Sequence, residues 1–452
     1  MIHSIMNNRL RLLFACVVAT LLLSACATRS QGPLRDLSEL PQDLSVYLDP
    51  ASSRAPIFTA DQRQELAVGF LASHFSPWHR SAPSNSRDDL FWGFTKYQNR
   101  SPYGENYLPR DPRWINSLAL NADPGDYPNQ LAPAIATAHT SMRVLPSAEP
   151  LFDDPTQPGE GFPFDYNQNS LVWAGTPLFV VQTSADGAWL LCESRFAGGW
   201  IPSRDVGLVD DAFMTEFSTG PFLALTHEDI PIKDQTGLFL FQGRIGMLLP
   251  LRTTPDNGEN RTVLVPVRNL DGHAQLLTAE LPETAGAHFP LVPSPYNIAA
   301  LGNRMMGQPY GWGGLYEHRD CSSTLMDLFA PFGIKLPRNS RSQAQAGQVM
   351  DVSKLSPEEK KTRLLTLPPL TTLVGKRGHI MLYAGQSNGE PLIYHTVWGV
   401  RTTDTGPLPG RKIIGATVIT TLEPGKELRN LAPGALLVNT ISTFTTLVPE
   451  GQ

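Results

Sequence analysis

The sequence predicts an α+β protein built from several small domains, and three observations support this prediction. The chain has 452 residues, it contains 40 prolines and 37 glycines, and only 17% of its residues are charged. At about 150 residues per domain, this length corresponds to roughly three domains. Frequent Pro and Gly favour short strands joined by turns. The net charge of −6 argues against a broad basic surface, so no nucleic-acid partner is expected.

The start of the chain predicts the cellular compartment. An apolar run over 12–23 follows two arginines and is shorter than the roughly 20 residues that span a bilayer, which is typical of a signal peptide over 1–25. The run ends in Leu-Ser-Ala-Cys26, which resembles the bacterial lipobox and implies an acylated Cys26 that anchors the chain to a membrane. An ordinary cleaved signal with a coincidental cysteine is the alternative. The residue after Cys26 is Ala27 and not Asp, so the resemblance implies an outer-membrane lipoprotein that faces the periplasm. The polar, Pro-rich residues 26–56 are expected to form a tether.

The remaining cysteines have contrasting surroundings. Cys16 would leave with the signal, so Cys192 and Cys321 are left to pair as a disulfide or to act separately. Cys192 ends the apolar run Trp-Leu-Leu-Cys, which predicts packing in a core. Cys321 follows a Gly-rich turn and directly precedes a predicted helix over 324–329. The N-terminus of that helix would lower the pKa of the Cys321 thiol.

The middle of the chain predicts small domains rich in strands. Residues 57–133 are irregular and aromatic, with helical spacing of apolar residues from 62 to 75. Two apolar runs flank an Asp-Gly turn at 186–187, which predicts a β-hairpin in a first barrel over 134–211. A weaker repeat of this pattern predicts a second barrel over 212–292. The order of strands, ending in Gly-Trp-aliphatic, resembles that of bacterial SH3-like domains.

Residues 293–425 contain the parts of a cysteine acyl-transfer site, and residues 426–452 are expected to form a tail. His379 and His395 follow Cys321 in the chain, each in a predicted strand, and a Ser-Asn-Gly turn separates the two strands. The strands are therefore expected to be antiparallel neighbours with the two imidazoles close together. A thiolate, a base and a polar group that orients the base are the parts that such chemistry needs. A helix carrying Cys before strands carrying His is the order of papain-like folds. No metal-ligand or cofactor pattern appears.

These motifs together resemble NlpC-type cell-wall cysteine peptidases. The resemblance rests on the aromatic-Gly stretch 307–314, on Arg-Asp-Cys-Ser-Ser at 319–323 and on the His-bearing strand 377–385. The sequence departs from the usual pattern at Ser323, where Gly is common, and at 375–377, where Gly-Lys-Arg replaces the usual Asp-x-x. The chain over 57–425 resembles the subset with an N-terminal stabilising clamp, two SH3-like domains and a papain-like catalytic domain.

The resemblance implies a γ-D-glutamyl–diamino-acid endopeptidase that acts as a monomer on peptidoglycan stem peptides. It implies the following site residues: Cys321 as nucleophile, His379 as base and acid, His395 as the group that orients it, and Tyr310, Asp320, Ser322 and Ser340 as substrate-binding residues. The backbone N–H of Cys321 is a natural oxyanion donor. Asp320 could instead serve only as a helix N-cap.

Two other functions remain open from the sequence alone. The chain could be a catalytically silent lipoprotein that binds peptidoglycan as a scaffold. It could also catalyse a different papain-like reaction, such as an amidase or acyltransferase step, because a fold does not determine its reaction.

Overall fold

The computed structural model describes residues 32–157, 159–252, 260–403 and 410–447, and it confirms the α+β class. Its helices are α1 (Arg35–Glu39), α2 (Ala60–His74), α3 (Arg87–Leu90), α4 (Trp92–Tyr97), α5 (Pro112–Ala122), α6 (Asp211–Ser218), α7 (Pro295–Met305), α8 (Cys321–Phe329), α9 (Ser340–Gln343), α10 (Pro357–Leu364) and α11 (Leu437–Thr440). Its strands are β1 (Ala132–Ala136), β2 (Thr140–Arg143), β3 (Gln168–Val172), β4 (Pro177–Thr183), β5 (Trp189–Glu193), β6 (Gly198–Pro202), β7 (Val206–Leu208), β8 (Phe222–Leu225), β9 (Ile230–Lys233), β10 (Phe239–Gly243), β11 (Leu248–Pro250), β12 (Asn260–Arg268), β13 (Ala274–Pro282), β14 (Gly286–His288), β15 (Gln348–Asp351), β16 (Thr372–Lys376), β17 (His379–Ser387), β18 (Glu390–Arg401), β19 (Arg411–Thr421) and β20 (Ile441–Thr446).

The segment 32–56 is folded against the C-terminal domain (residues 293–447), so the predicted tether is wrong for these residues. Leu44 is fully buried in the same hydrophobic core as Cys321. The Asp36 carboxylate accepts hydrogen bonds from both the N–H and the hydroxyl of Thr421, each at 2.8 Å. The packing comes from apolar side chains scattered through a Pro-rich stretch. Their spacing has neither a helical nor a strand period, so the sequence pattern does not predict it. The predicted signal and Cys26 lie outside the described residues.

The N-terminal helices pack onto the first barrel. The predicted helix near 62–75 is α2, which begins with a capping box between Thr59 and Gln62. The indole N–H of Trp78 donates to the carbonyl of Ala134 at 2.7 Å. The fully buried carboxylate of Glu193 accepts from Arg80, Ser84 and Asn85 of the connecting loop. The region is therefore an integral support for the barrel.

The first barrel contains β1–β7, in the sheet order β3-β2-β6-β5-β4-β1-β7 among the described residues. Its β4–β5 hairpin closes at Gly187, which has a φ of 69°. Cys192 is completely buried in the barrel core, which confirms the prediction for this residue. Cys192 and Cys321 are both free thiols, so the disulfide alternative is wrong. Helix α6 leads into the second barrel, which contains β8–β14.

In the C-terminal domain α8 packs against an antiparallel sheet, whose described strands have the order β15-β20-β16-β17-β18-β19. The predicted tail is wrong, because residues 441–446 form β20 and pair with both β15 and β16 in the middle of this sheet. The predicted neighbouring strands are confirmed as β17 and β18, which pair antiparallel. Searching the described ranges finds no helix of the length and apolarity needed to cross a membrane.

Candidate active site

Cys321 is the first residue of α8, as the sequence predicts, and Asp320 caps this helix. The Asp320 carboxylate accepts the N–H groups of Ser322 at 3.1 Å and Ser323 at 2.8 Å. The Ser323 hydroxyl accepts the Asp320 N–H at 2.9 Å and completes a capping box. Serine at this position, where relatives commonly have Gly, therefore closes the helix start. Among the described residues no acceptor is found for the Cys321 N–H, which leaves this donor free at the end of the helix.

The two imidazoles lie on adjacent strands and share a hydrogen bond. His379 begins β17, His395 lies in β18, and their Nε2 and Nδ1 atoms are 2.9 Å apart. The Nε2 atom of His395 lies 3.1 Å from the Thr420 hydroxyl on β19. In the β18–β19 register His395 faces Val418, so Thr420 is its diagonal neighbour on the same face.

The contacts of the Thr420 hydroxyl favour one tautomer of each imidazole. Its oxygen lies 2.8 Å from the Thr421 carbonyl, which can only accept, and a hydroxyl that donates there accepts from the His395 Nε2–H. His395 Nδ1 is then an acceptor and takes the proton of His379 Nε2. The Nδ1 atom of His379 is left with a free lone pair, which is the form that a general base requires. Nothing in the sequence signals Thr420, since it follows His395 by 25 residues.

The thiol lies beside the first residues of β17. A backbone hydrogen bond from Ile380, the residue after His379, reaches Cys321 and favours its thiolate. Burial nevertheless dominates and, together with the Asp320 charge, raises the pKa of the Cys321 thiol to about 12. Burial, then His395 and Lys376, lowers the pKa of His379 well below its usual value. The backbone N–H of Ser322 at the helix start lowers the pKa of the thiol, as the sequence predicts, but burial outweighs this contribution.

Asp320 and Ser322 belong to a buried network organised by Arg338. The Arg338 guanidinium donates to both Asp320 carboxylate oxygens, at 3.1 and 2.8 Å, and to the Ser322 hydroxyl at 3.0 Å. Its Nε donates to the Ser170 hydroxyl of the first barrel at 2.8 Å. Burial alone would raise the pKa of the Asp320 carboxyl, but Arg338 and the capping hydrogen bonds lower it. Sequence reasoning missed Arg338, because Ser170 and Arg338 lie 168 residues apart.

Tyr310 stands close enough to this network to respond to its charges. Burial, then the charges of Cys321 and Asp320, raises the pKa of Tyr310 well above its ordinary value. Its ring contacts Phe164 of the first barrel, with centroids 6.4 Å apart, and Trp398 of β18, at 6.0 Å. The first barrel thus forms an aromatic wall beside Tyr310. A second contact between the two domains runs from the Gln168 side chain to the Gly313 carbonyl at 3.1 Å.

The model separates Ser340 from the other predicted binding residues. Ser340 begins α9, and in the described part of the chain its hydroxyl has no hydrogen bond to the residues around Cys321. Gln343 at the end of α9 makes the contact instead, because its amide donates to the Ser322 carbonyl at 2.8 Å. The structure therefore brings together six predicted residues and leaves Ser340 aside. The six are Cys321, His379, His395, Asp320, Ser322 and Tyr310.

Four family models match consecutive parts of the chain. Residues 15–127 match the NLPC_P60 stabilising domain, residues 150–202 an SH3 domain of SH3b1 type, residues 210–254 an SH3 domain of SH3b2 type, and residues 307–395 the NlpC/P60 family. The chain carries an NlpC/P60 domain. Peptidases of this family are cysteine peptidases, and the match supports peptidoglycan hydrolase activity.

Two solved structures are similar to the chain to different degrees. An NlpC/P60 endopeptidase from Photobacterium damselae subsp. piscicida is 28% identical to the chain, with a TM-score of 0.81 over 90% of this chain and 97% of that one. An NlpC/P60 family protein from Bacillus cereus is 16% identical, with a TM-score of 0.47 over 70% of this chain and 100% of that one. No curated protein matches the chain.

Proposed function

We propose that the protein is a peptidoglycan endopeptidase that cleaves the bond between γ-D-glutamate and a diamino acid such as diaminopimelate. One observation carries the proposal. A thiol at a helix N-terminus contacts the backbone of the residue after His379, and the hydrogen bonds of His379 continue to His395 and Thr420. The NlpC/P60 domain supplies the substrate class, and the specific bond is inferred from the resemblance described above.

The proposed reaction uses these groups in turn. As the Cys321 sulphur bonds to the glutamyl carbonyl carbon, its proton passes to Nδ1 of His379. The Cys321 N–H donates to the oxyanion that forms, as a helix-terminal donor does. The protonated His379 then gives this proton to the departing amine, and a thioester remains on Cys321. Water attacks the thioester with His379 as base, which releases the carboxylic acid and restores the thiol.

His395 and Asp320 support this reaction in different ways. His395 holds the Nε2–H of His379, so that Nδ1 remains the basic atom throughout the cycle. Asp320, Ser322 and Tyr310 line the binding side, where Arg338 holds the first two in place. We also propose that acylation of Cys26 anchors the enzyme on the periplasmic face of the outer membrane, which supports access to the cell wall.

A defined peptide tests the proposed activity. Purified protein is incubated with L-Ala-γ-D-Glu-meso-diaminopimelate, and the products are identified by mass spectrometry. The wild type is expected to release L-Ala-D-Glu and diaminopimelate, and Cys321→Ala is expected to lose this cleavage while keeping the wild-type melting temperature. Cys192→Ala, which removes the buried thiol of the barrel, serves as the matched control and should retain cleavage. Cleavage by Cys321→Ala, or binding of peptidoglycan without any hydrolysis, would contradict the proposal.

A further inference from the structure

Three cations converge beside the candidate active site, and we call Lys376, Arg401 and Arg411 the cationic cluster. Lys376 ends β16 and pairs directly with His379 across the β16–β17 turn. Arg401 and Arg411 face each other at the far end of the β18–β19 pair. Burial lowers the pKa of Lys376, the Cys321 thiolate opposes this shift, and the two arginines add to it. The strand registers also place the three residues at the same end of the sheet, the end at which His379 begins β17.

This arrangement is unfavourable unless a negative charge joins it. Like charges directly opposite each other in an antiparallel pair destabilise a sheet. In the described part of the chain, none of the three cations forms an ion pair within 4.0 Å, and the carboxylate whose charge acts on Arg411 is that of Glu160. Other buried cations of the same domain are paired, as Arg338 is with Asp320 at 2.8 Å and Arg319 with Asp327 at 2.7 Å. Within the cluster Lys376 and Arg411 are half-buried without such a partner, and Arg401 is exposed.

Arg411 shows that the cluster is built into the fold. Its guanidinium lies against the backbone of Gly159 in the first barrel, where a side chain would collide with it. Gly159 has a φ of 89°, so this position favours glycine for its conformation as well. The Nε of Arg411 is buried and has no hydrogen-bond acceptor within the described residues. A buried N–H that lacks an acceptor costs free energy, and a ligand that supplies one would recover it.

We propose that the cationic cluster binds a free carboxylate of the substrate peptide. Arginine forks match carboxylates through paired hydrogen bonds, and Lys376 adds a point charge beside the reacting groups. The proposed substrate carries such groups on both sides of the scissile bond, as the α-carboxylate of D-glutamate and the carboxylates of diaminopimelate. The replacement of the usual Asp-x-x by Gly-Lys-Arg at 375–377 fits this use. This inference rests on the proposed function and names a binding subsite for it.

A substrate-and-enzyme double-mutant cycle tests the subsite. The peptides are L-Ala-γ-D-Glu-meso-diaminopimelate, its D-isoglutamine analogue and its analogue amidated on diaminopimelate. Each is assayed with the wild type, Arg411→Gln, Arg411→Lys and Lys376→Gln. In the wild type, amidation of the bound carboxylate is expected to lower kcat/KM about tenfold or more, as for loss of a hydrogen bond between charged groups. In Arg411→Gln that same amidation should have little further effect, and Arg411→Lys should recover part of the dependence.

The outcomes separate the subsite from the activity. Coupling to the glutamate carboxylate or to a diaminopimelate carboxylate supports the proposal and assigns the group that is bound. Cleavage of all three peptides with the same relative rates in every variant would overturn the subsite and leave the endopeptidase intact. Failure of the wild type to cleave any peptide would overturn the proposed function. Replacement of the exposed Arg429 by Gln removes a charge from the same domain and controls for general electrostatics.

Discussion

Replacing Thr420 by Val should slow the enzyme without unfolding it. Valine keeps the shape of the side chain and removes the oxygen that accepts the His395 Nε2–H at 3.1 Å. The productive arrangement then contains a buried N–H without an acceptor, which costs about 1–3 kcal/mol. In the competing arrangement His395 carries its proton on Nδ1 and donates to His379. That places the His379 proton on Nδ1, where no lone pair remains to accept the proton of Cys321.

The penalty applies to the tautomer in which His379 Nδ1 can accept the proton of Cys321. It therefore lowers kcat/KM by the corresponding factor. A penalty of about 1–3 kcal/mol corresponds to a fall of about 5- to 150-fold in kcat/KM for the defined peptide. Nitrogen-15 chemical shifts of the imidazoles provide an independent reading of which ring nitrogen carries the proton. Thr420→Ser restores the acceptor and should recover most of the activity. The free energy of unfolding should change by about 1 kcal/mol or less, since a single local hydrogen bond is lost.

A matched control comes from the same strand. Thr417 is also buried on β19, and its hydroxyl lies 2.8 Å from that of Thr396, remote from both imidazoles in the hydrogen-bond network. Thr417→Val should therefore keep kcat/KM near the wild-type value. If Thr420→Val retains activity within twofold, or if Thr420→Ser is as slow as Thr420→Val, the tautomer reasoning is refuted.

Three further predictions concern stability and reactivity. Arg338→Met leaves the Asp320 carboxylate, which caps the helix, buried without its cation. Urea unfolding should show that the free energy of unfolding falls by about 3–5 kcal/mol. The control Arg113→Met removes an exposed ion pair and should lower it by under about 1 kcal/mol. Burial lowers the pKa of His395 from 6.5 to about 3, so neutral His395 contributes fully to the free energy of unfolding above pH 6.5. Below pH 6.5 this contribution should fall by about 1.4 kcal/mol per pH unit. The pH dependence of the free energy of unfolding should be weaker in His395→Gln and unchanged in the exposed control His288→Gln. Burial raises the pKa of Cys321 to about 12, so its alkylation by iodoacetamide should accelerate about tenfold per pH unit from 6 to 9, and a plateau near neutral pH would contradict this.

The sequence predicts the parts of the site that depend on local patterns. The turn at 387–389 is short, so β17 and β18 must be antiparallel neighbours, and the model confirms that His379 and His395 meet. A polar residue directly before an apolar helix predicts an N-cap, and Asp320 occupies that position. Hydrophobic spacing and turn residues determine such features within about ten residues.

Features that depend on distant pairing escape a single sequence. Thr420 matters only through the β18–β19 register, and a long hairpin whose tip lies outside the described residues separates it from His395. Strand β20 has the sequence Ile-Ser-Thr-Phe-Thr-Thr. Because four of its six residues carry hydroxyls, it lacks the apolar run that would predict a strand within a sheet. Burial of the thiol depends on the whole assembled domain and reverses the effect expected from the helix terminus. The segment 32–56 likewise reveals its packing only when the catalytic domain is present.

The structure divides the candidate site into a chemical part and a recognition part. The groups proposed to move protons, Cys321, His379, His395 and Thr420, all belong to the catalytic domain. The first barrel contacts other groups: Ser170 holds Arg338, and Gly159 covers Arg411. Substitutions on the barrel should therefore alter KM and the choice of peptide while leaving the pH dependence of kcat unchanged. Because the barrel and the candidate site share buried hydrogen bonds, we expect the first SH3-like domain to contribute to peptide binding as well as to the fold.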